Sequence, residues 1–371
     1  MRRIIQQIKQ FFKSILASVN AGLVLLFLLS AFSDRFSPET SVLFSYLGLM
    51  FPVLAIINFC FVLYWLILWE WRFFLMGLCS FLLAHGAVGN YFSLHDNNQT
   101  LPKENTIKVL TYNVMGFGYK DHTPSRPNPT LQYINNSDAD IVCMQEYAIG
   151  KSNKFLTNSK IIKALKSYKY HSIIPIGHVG GIRYNLAVFS KYPISGSRRI
   201  KMESSFNGAS VHYINVKGKK LMLVNNHLES FKLTTEDKGR YSAFIKNVNA
   251  ETIDGLTNTV TQKLGTAFKI RARQADIIAG ELKKTKCDYV LVCGDFNDTP
   301  VSYVHRTIQG DLTDAFAASG FGTGITYNEN YFWFRIDNIM HSENIKSFNC
   351  TVDHVRYSDH YPLWCYLQLD E

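Results

Sequence analysis

The segment Tyr289-Val-Leu-Val-Cys-Gly-Asp-Phe-Asn297 joins an apolar run to a glycine, an aspartate and an asparagine. Such a run predicts a buried β-strand that delivers polar side chains at its carboxyl end. Asp295 and Asn297 are two residues apart, so on an extended chain they point to the same side and address one pocket. The segment therefore predicts a sheet whose strand ends carry a functional site.

Four further runs share this form, and each ends abruptly in a polar residue. They are Val109-Leu-Thr-Tyr-Asn113, Asp140-Ile-Val-Cys-Met-Gln-Glu146, Leu186-Ala-Val-Phe-Ser190 and Lys220-Leu-Met-Leu-Val-Asn-Asn-His227. Short apolar runs of this kind are typical of buried strands. From Ile107 onward the pattern therefore predicts an α/β fold.

Six motifs occur in an order that resembles the motif series of the endonuclease/exonuclease/phosphatase superfamily. They are Tyr112-Asn113-Val114, Gln145-Glu146, Asn226-His227-Leu228, Gly294-Asp295-Phe296-Asn297, Ile336-Asp337-Asn338-Ile339 and Ser358-Asp359-His360-Tyr361-Pro362. The resemblance covers about Ile107 to Leu369. It implies a four-layer α/β sandwich, in which two mixed β-sheets pack face to face with helices outside. It also implies a metal-dependent hydrolase of phosphate esters.

The resemblance implies a metal site formed by Glu146, Asn113 and Asp359. Glu146 is expected to be the principal carboxylate, with Asn113 and Asp359 as ligands directly or through water. Mg²⁺ prefers oxygen ligands and usually keeps several waters, so few protein ligands suffice. Mg²⁺ is the expected cofactor, with Mn²⁺ as the alternative.

The same resemblance implies catalytic roles for Asp295, Asn297, His360 and Asp337. Asp295 is expected to orient or activate the attacking water, and Asn297 to donate a hydrogen bond to a non-bridging phosphate oxygen. His360 is expected to act as general base or transition-state stabiliser. Asp337 would hold its tautomer, since a carboxylate partner fixes which imidazole nitrogen faces the substrate.

Two further residues, His227 and Asn185, are expected to contact the phosphate. His227 matches the second histidine of the deoxyribonuclease and sphingomyelinase branches, where it assists the leaving group or binds phosphate. The apurinic-endonuclease branch lacks this histidine, which argues against a dedicated abasic-site enzyme. The plain alternative is a hydrogen-bonded histidine at a strand end. Asn185 opens the stretch Asn185–Ile194, which is similar to the family's central strand.

The first hundred residues have a different composition, with three long runs free of Asp, Glu, Lys and Arg. Their lengths suffice for membrane helices, which need about 20 apolar residues. We predict spans near 15–33, 42–67 and 72–91, a linker over 92–106 and a catalytic domain over 107–371. The alternative is a signal peptide in residues 1–32 followed by a buried helical hairpin.

Charge near the first span predicts the orientation. Arg2, Arg3, Lys9 and Lys13 precede it without an acidic residue, so the N-terminus is expected to be cytoplasmic. Three crossings then place the catalytic domain outside the cytoplasm. The lipid bilayer is thus an expected partner, and nothing in the sequence indicates a protein partner.

Charge bears on the substrate class. The chain carries 39 Lys and Arg against 29 Asp and Glu, a formal charge of +10, of which +8 lies after residue 100. A basic domain is consistent with a polyanion such as nucleic acid, with an anionic lipid surface, or with a merely solvated basic surface, and nucleic acid is the first hypothesis. A lipid phosphodiesterase or phosphatase, acting on a phospholipid or an inositol phosphate, is the second hypothesis. A non-catalytic binding protein is the third. An aromatic loop beside the site would favour lipid, and a basic groove would favour nucleic acid.

Two loops and one helix complete the sequence predictions. The loops Asn113–Pro129 and His178–Arg183 are expected to shape substrate access. The stretch Arg271–Leu282 predicts an amphipathic helix, on which Arg271 and Arg273 either reach a phosphate or lie on a solvated face.

Overall fold

The computed structural model describes residues 2–96, 98–102, 104–150, 155–204, 206–231, 239, 259–329 and 332–370. The chain divides into two compact units. The first comprises residues 1–91 together with 300–306, and the second comprises residues 92–299 and 307–371.

The first unit is helical. Its helices are α1 (Arg2–Ala31), α2 (Val42–Leu49), α3 (Phe51–Ile67), α4 (Trp71–Leu83) and α5 (His85–Tyr91), with a 3-10 turn at Ser33–Arg35. One helix, over Arg3–Ala31, is long and apolar enough to cross a membrane. The other two predicted spans are each a bent pair, with angles of 55° between α2 and α3 and 67° between α4 and α5. The described residues thus contain one candidate span, or three if each bent pair counts as one.

The break between α2 and α3 has a local cause. Pro52 lies in the first turn of α3. Proline has no N–H and its ring clashes with the carbonyl four residues earlier, so a helix running through from Val42 is interrupted near Met50. The sequence predicted one continuous helix over 42–67, and the structure corrects this to two.

Polar side chains of this unit lie inside and large apolar ones outside. Asn20, Asn58 and Ser80 are fully buried, and they are paired: Trp65 Nε1 donates to Asn20 Oδ1 at 2.9 Å, and Asn58 Nδ2 donates to Ser80 Oγ at 2.8 Å. Ile67, by contrast, is 75% exposed. Buried polar pairs and an apolar exterior are the arrangement expected for helices in lipid.

The second unit contains two six-stranded mixed sheets. The first sheet has the order β10 (Thr313–Asp314), β14 (Asp337–His341), β9 (Tyr289–Asp295), β8 (Lys219–His227), β7 (Gly208–Val216) and β6 (Ile194–Ile200). The second has the order β15 (Ile345–Val352), β16 (Leu363–Leu369), β2 (Thr106–Asn113), β3 (Ile141–Ile149), β5 (Ile182–Ser190) and β4 (Tyr170–Val179).

Shorter elements and helices complete the unit. Two small ladders pair β1 (Ser93–Leu94) with β11 (Phe321–Gly322) and β12 (Tyr327–Glu329) with β13 (Phe332–Phe334). The helices are a left-handed turn α6 (Met115–Gly118), α7 (Pro129–Asn136), α8 (Asn158–Ala164), α9 (Thr259–Lys283), α10 (Tyr303–Gln309) and α11 (Ala315–Ser319). The part of α10 up to Arg306 belongs to the first unit. Of the predicted linker, β1 pairs within this unit, while Asn97 and Lys103 lie outside the described residues.

Alternation along the strands creates two cores. On β2, Val109 belongs to the cluster shared with Leu221 and Leu291 of the facing sheet, whereas Leu110 packs with Leu131 of α7. Successive strand residues point to opposite faces, so one strand serves both the core between the sheets and the core under the helices. The predicted α/β sandwich of two mixed sheets flanked by helices is confirmed.

Candidate active site

Strand register brings three predicted residues into one row. In the first sheet β9 lies between β14 and β8. Asp295, the last residue of β9, is opposite Asp337 on β14 and opposite His227 on β8. Since the strands are adjacent, these residues of distant sequence position share one edge of the sheet. His227 Nε2 lies 3.7 Å from Asp295 Oδ2.

The second sheet adds Asn113 and Glu146 to the same place. Asn113 ends β2, and its Nδ2 donates to Glu146 Oε1 at 3.3 Å and to Asp295 Oδ2 at 3.2 Å. Glu146 lies on β3 at a register shift and has a positive φ of 50°. His227 Nε2 is 3.6 Å from Glu146 Oε1. The two sheets therefore meet at the site through side-chain contacts.

His360 reaches the cluster from the loop before β16. Its Nδ1 lies 2.8 Å from Asp337 Oδ2, and its Nε2 lies 3.6 Å from Asp295 Oδ2. The ring of Tyr327 meets the imidazole edge-on, with centroids 5.0 Å apart. Hydrogen bonding at Nδ1 fixes the ring so that Nε2 faces the other polar groups.

Burial and charge give the two histidines opposite pKa shifts. Burial lowers the pKa of His227, and the nearby carboxylates do not compensate, so this imidazole is neutral. Burial also acts to lower the pKa of His360, but Asp337 and Asp295 outweigh it and raise that pKa well above its ordinary value. Burial raises the pKa of Asp295 to about 6, against the pull of the neighbouring imidazoles. The site thus holds a charged imidazolium, a neutral imidazole and a basic carboxylate.

Asn297 and Asp359 flank this cluster. The Asn297 N–H donates to Asp295 Oδ1 at 2.8 Å, and its Nδ2 donates to the Leu228 carbonyl at 3.0 Å. Ser358 Oγ donates to the Asn113 carbonyl at 2.7 Å and lies 3.2 Å from Asp359 Oδ1. The loop that carries Asp359 and His360 is thereby tied to the end of β2.

Asn185 lies apart from the other predicted residues. Its Nδ2 donates to the carbonyl oxygens of Tyr147 and Arg183, at 2.9 and 3.2 Å, and the side chain is buried. It does not line the described part of the pocket that contains the histidines. A phosphate contact by Asn185 stays a prediction from the motif.

The donor set fits a hard divalent cation. One ligand atom each of Asp295, Asp337 and His360 lie within 4.8 Å of one another, and Glu146 and Asp359 line the same pocket. Asp337 Oδ1 is buried and has no hydrogen-bond partner within the described part of the chain. Clustered carboxylate oxygens of this kind are the ligands that Mg²⁺ and Mn²⁺ prefer. Asn113 presents its nitrogen to the carboxylates, so its predicted role as an oxygen ligand stays a prediction.

The site lies in a pocket of about 220 Å³ with two unlike parts. One part is the polar cluster. The other is a wall of apolar and aromatic side chains, namely Phe231, Tyr327, Phe332, Phe334 and Ile336. Among the described residues that line this pocket there is no Lys or Arg. We call this set of five residues the aromatic wall.

Neither the aromatic wall nor a polar bridge beneath the site was predicted from the motifs. Gln145 Nε2 donates to Asn225 Oδ1 at 2.7 Å, and Asn225 Nδ2 donates to backbone carbonyls of Met144 and Ala187. This bridge joins the two sheets directly below Glu146. The available signal was an amide residue immediately before each motif residue, Gln145 before Glu146 and Asn225 before Asn226.

The prediction for Arg271 was wrong in both its forms. The side chain neither lies on a solvated face nor reaches the pocket, because it is fully buried and pairs with Asp298, Nε to Oδ2, at 3.0 Å. Arg273 is 43% exposed and pairs with Glu203 at 3.2 Å. The helix α9 packs its Arg271 side against the sheet, as the buried Phe268, Ala272 and Ala275 indicate.

The fold and the cluster together define a class of protein, the α/β-sandwich hydrolases of phosphate esters. The sequence profile described as Endonuclease/Exonuclease/phosphatase family matches residues 110–360, and the chain belongs to this family. Members of the family hydrolyse phosphoesters and generally use a divalent metal. A second profile, described as a domain of unknown function (DUF8431), matches residues 13–91.

Comparison with solved structures gave matches at low sequence identity, and the first of them, at a TM-score of 0.50, has a similar fold. An endonuclease/exonuclease/phosphatase from Beutenbergia cavernae DSM 12333 is 14% identical, with a TM-score of 0.50 over 72% of each chain. The protein of that class from Bacteroides vulgatus is 18% identical, with a TM-score of 0.48 over 72% of this chain and 100% of the other. The human Nocturnin catalytic domain with bound sulfate is 16% identical, with a TM-score of 0.49 over 72% and 96%. Comparison with curated protein sequences gave no match.

Proposed function

We propose that this protein is a membrane-anchored, metal-dependent phosphodiesterase whose substrate carries an apolar group, as a phospholipid or sphingolipid does. The observation that carries the proposal is the pocket itself, where Asp295, His227 and His360 adjoin the aromatic wall. Net charge alone favoured nucleic acid. The lining of the pocket reverses that order, because its apolar and aromatic side chains bind an apolar group and its described residues include no Lys or Arg to pair with a polyphosphate backbone.

The chemistry that we propose is in-line attack by water on phosphorus. Asp295 accepts a proton from the water, whose oxygen forms the new bond to phosphorus as the ester oxygen departs. The His360 imidazolium stabilises the charge on the non-bridging oxygens, and Asn297 donates a hydrogen bond to one of them. The neutral His227 imidazole donates its ring N–H as a hydrogen bond to the departing oxygen, and the proton that Asp295 took from the attacking water ends on that oxygen, so that both residues return to their starting state.

Glu146, Asn113 and Asp359 would hold the metal, with Asp295 and Asp337 beside them. When bound, a divalent ion offsets the negative charge that develops on the phosphate oxygens. Asp337 has a supporting role, because its carboxylate keeps His360 charged and oriented.

Contacts inside the first unit support three membrane crossings. Lys13 Nζ pairs with Glu70 Oε1, which brings the first half of α1 to the turn between α3 and α4. Phe27, Phe51 and Ala84 share one apolar cluster at the other end of α1. The chain therefore alternates in direction, as three successive spans require. A cleaved signal peptide would remove Asn20 and Lys13, the partners of Trp65 and Glu70.

The test uses the full-length protein in detergent micelles with Mg²⁺, Mn²⁺ or EDTA. Substrates are sphingomyelin, phosphatidylcholine, inositol phosphates, DNA, RNA and the small diester bis(p-nitrophenyl) phosphate. We expect metal-dependent hydrolysis of a lipid diester, and a loss of at least about 1000-fold in kcat for His360→Ala and Glu146→Gln. The matched control is His171→Ala, an exposed histidine at the far end of β4.

The aromatic wall is tested by Phe334→Ala. Losing a buried phenyl contact of about 1.5–3 kcal/mol predicts a roughly 10- to 100-fold lower kcat/KM for the lipid diester. Hydrolysis of the small diester is expected to stay unchanged. Preferred cleavage of DNA or RNA would instead support the nucleic-acid hypothesis, and no metal-dependent turnover of any phosphoester would refute both.

A further inference from the structure

Arg271 on α9 is a buried cation next to the candidate active site. Its side chain is fully buried, and it is among the largest fully buried side chains of the described residues. A buried guanidinium is costly unless its charge and its N–H groups are matched. The groups that pair with the guanidinium therefore indicate which segments Arg271 stabilises.

Those partners belong to the two segments that follow catalytic strands. Arg271 Nε donates to Asp298 Oδ2 at 3.0 Å, and Nη1 donates to the Glu229 carbonyl at 2.9 Å. Asp298 follows Asn297 and lies three residues beyond Asp295, the end of β9. Glu229 is two residues beyond His227, the end of β8. One planar side chain thus bridges both segments.

The same segments are also joined on the side of the site. Asn297 Nδ2 donates to the Leu228 carbonyl at 3.0 Å, and the Leu228 N–H donates to the Asp295 carbonyl at 3.0 Å. From α9, Gln274 Oε1 accepts from the Glu229 N–H at 2.9 Å. The backbone of residues 228 and 229 is therefore fixed by hydrogen bonds to site residues and by a hydrogen bond to α9.

The guanidinium also supports the aromatic wall. Its central carbon lies 4.3 Å from the ring centroid of Phe231 and 5.1 Å from that of Phe268. Phe231 lines the pocket, whereas Phe268 is buried on α9. Cation–π contact at these distances is favourable, and stronger where water is excluded.

We propose that Arg271 is a positioning residue that couples the catalytic segments to the specificity of the pocket. It touches no substrate. Arg271 fixes three parts of the site: the segment 295–298, the segment 227–229 and the ring of Phe231. The groups that transfer protons and the ring that contacts the apolar group are therefore positioned by the same side chain. The link to catalysis rests on the proposed phosphodiesterase function, while the structural coupling does not.

Lysine is the informative substitution, because it keeps the charge but lacks the planar fork and the stacking face. We expect Arg271→Lys to lower kcat about 10- to 100-fold, since displacements of about 1 Å at a site have such effects. We also expect it to lower the ratio of kcat/KM for the lipid diester to that for bis(p-nitrophenyl) phosphate. The folded fraction cancels in this ratio, so a merely structural defect leaves it unchanged.

Hydrogen–deuterium exchange of the full-length protein in detergent gives a readout without activity. We expect faster exchange in residues 226–231 and 295–299 of Arg271→Lys. The matched control is Arg273→Lys, two residues along the same helix, which is expected to leave exchange and both kinetic quantities as in the wild type. If Arg271→Lys does not fold, Asp298→Asn removes the ionic partner and keeps an oxygen acceptor, and the same two segments are expected to respond.

The outcomes separate the two proposals. Faster exchange in both segments of a protein that hydrolyses no phosphoester supports the coupling and refutes the function. Turnover by the wild type, with unchanged exchange and an unchanged substrate ratio in Arg271→Lys, overturns the coupling and leaves the function standing. Exchange that rises uniformly across the second unit also overturns it.

Discussion

Three residues at the candidate site have a left-handed backbone: Glu146, Gly294 and Asn297, with φ angles of 50°, 127° and 52°. Asparagine tolerates this region, whereas glutamate rarely adopts it. Glu146 lies at the register shift of β3, where the local bend turns its carboxylate toward Asn113. The conformation thus directs a side chain that a regular strand would send elsewhere.

Gly294 has a second constraint besides its φ angle. A Cβ at this position would lie 2.1 Å from the backbone carbonyl oxygen of Asn226 and 2.8 Å from the backbone nitrogen of the same residue. Asn226 lies on the neighbouring strand β8. Backbone cannot give way as a flexible side chain does. We therefore expect Gly294→Ala to lower the free energy of unfolding of the second unit by about 4 kcal/mol or more. Denaturant unfolding, followed by a spectroscopic signal from that unit, measures the change.

Gly218 provides the matched control. Its φ is 90°, yet nothing lies within 4 Å of the added Cβ. Gly218→Ala is expected to cost about 1–2 kcal/mol, the strain of the backbone alone. Equal effects of the two substitutions would mean that the close approach of β8 and β9 has no energetic weight.

Arg271 shows where reasoning at the level of one residue fails. A charged residue on an amphipathic helix is normally solvated, and nothing in the local sequence marks Arg271 as different from Arg273. The distinction depends on Asp298, 27 positions away, which supplies the compensating carboxylate. That partner becomes a neighbour only after β9 and α9 have packed together.

At the scale of elements, the strand register decides the site. A shift of one residue between β8 and β9 would move His227 away from Asp295 and reverse its face. In the ladder between β8 and β9, Gly294 is opposite Asn226 and His227 is opposite Asp295. The close glycine contact and the catalytic pair therefore require the same register.

Strand β7 carries a buried histidine that makes stability depend on pH. His212 Nε2 lies 2.8 Å from Ser210 Oγ, and Nδ1 lies 3.1 Å from Ser197 Oγ. Burial lowers its pKa to about 3. Because the folded pKa is below the unfolded value of about 6.5, the unfolded state takes up the proton first as pH falls.

We therefore expect His212 to destabilise the fold increasingly below pH 6.5, by up to about 1.4 kcal/mol per pH unit until pH approaches 3. Above pH 6.5 it contributes no pH dependence. Thermal unfolding midpoints from pH 7 to pH 4.5 check this. His212→Gln should flatten the decline, and His178→Gln, at an exposed position on β4, should not. An identical slope in wild type and His212→Gln would contradict the assignment.

For the whole molecule, the proposed membrane anchor depends on the number of crossings that the first unit makes. Its described residues hold one straight candidate span and two bent pairs. The pairing of Lys13 with Glu70 favours three crossings with both residues on the cytoplasmic side.

Alkaline phosphatase insertions, active only outside the cytoplasm, test this in a bacterial expression host. With three crossings, insertions after Ser37 and after Asp96 are active and an insertion after Glu70 is inactive. With a single crossing at α1, the insertion after Glu70 is active as well. A reporter fused before Met1 is the control and is expected to be inactive in either case. An inactive insertion after Asp96 would refute an extracytoplasmic catalytic domain.

The amino-acid sequence alone was sufficient to predict the α/β sandwich, the family and, apart from Asn185, the residues that lie together at one edge of the fold. These follow from local patterns: strand runs that end in polar residues, and six ordered motifs. It also determined that the first hundred residues are apolar enough for membrane helices, although Pro52 interrupts one of them.

The pKa pattern, the aromatic wall and the contacts of Arg271 arise from tertiary packing. The two histidines are chemically alike in the sequence, and they differ because His360 has Asp337 at 2.8 Å while burial dominates at His227. Phe231 and Phe334 are ordinary aromatic residues until folding brings them to one pocket. Local patterns indicate which strands are buried, but long-range packing sets how burial and neighbouring charges balance at each titratable group.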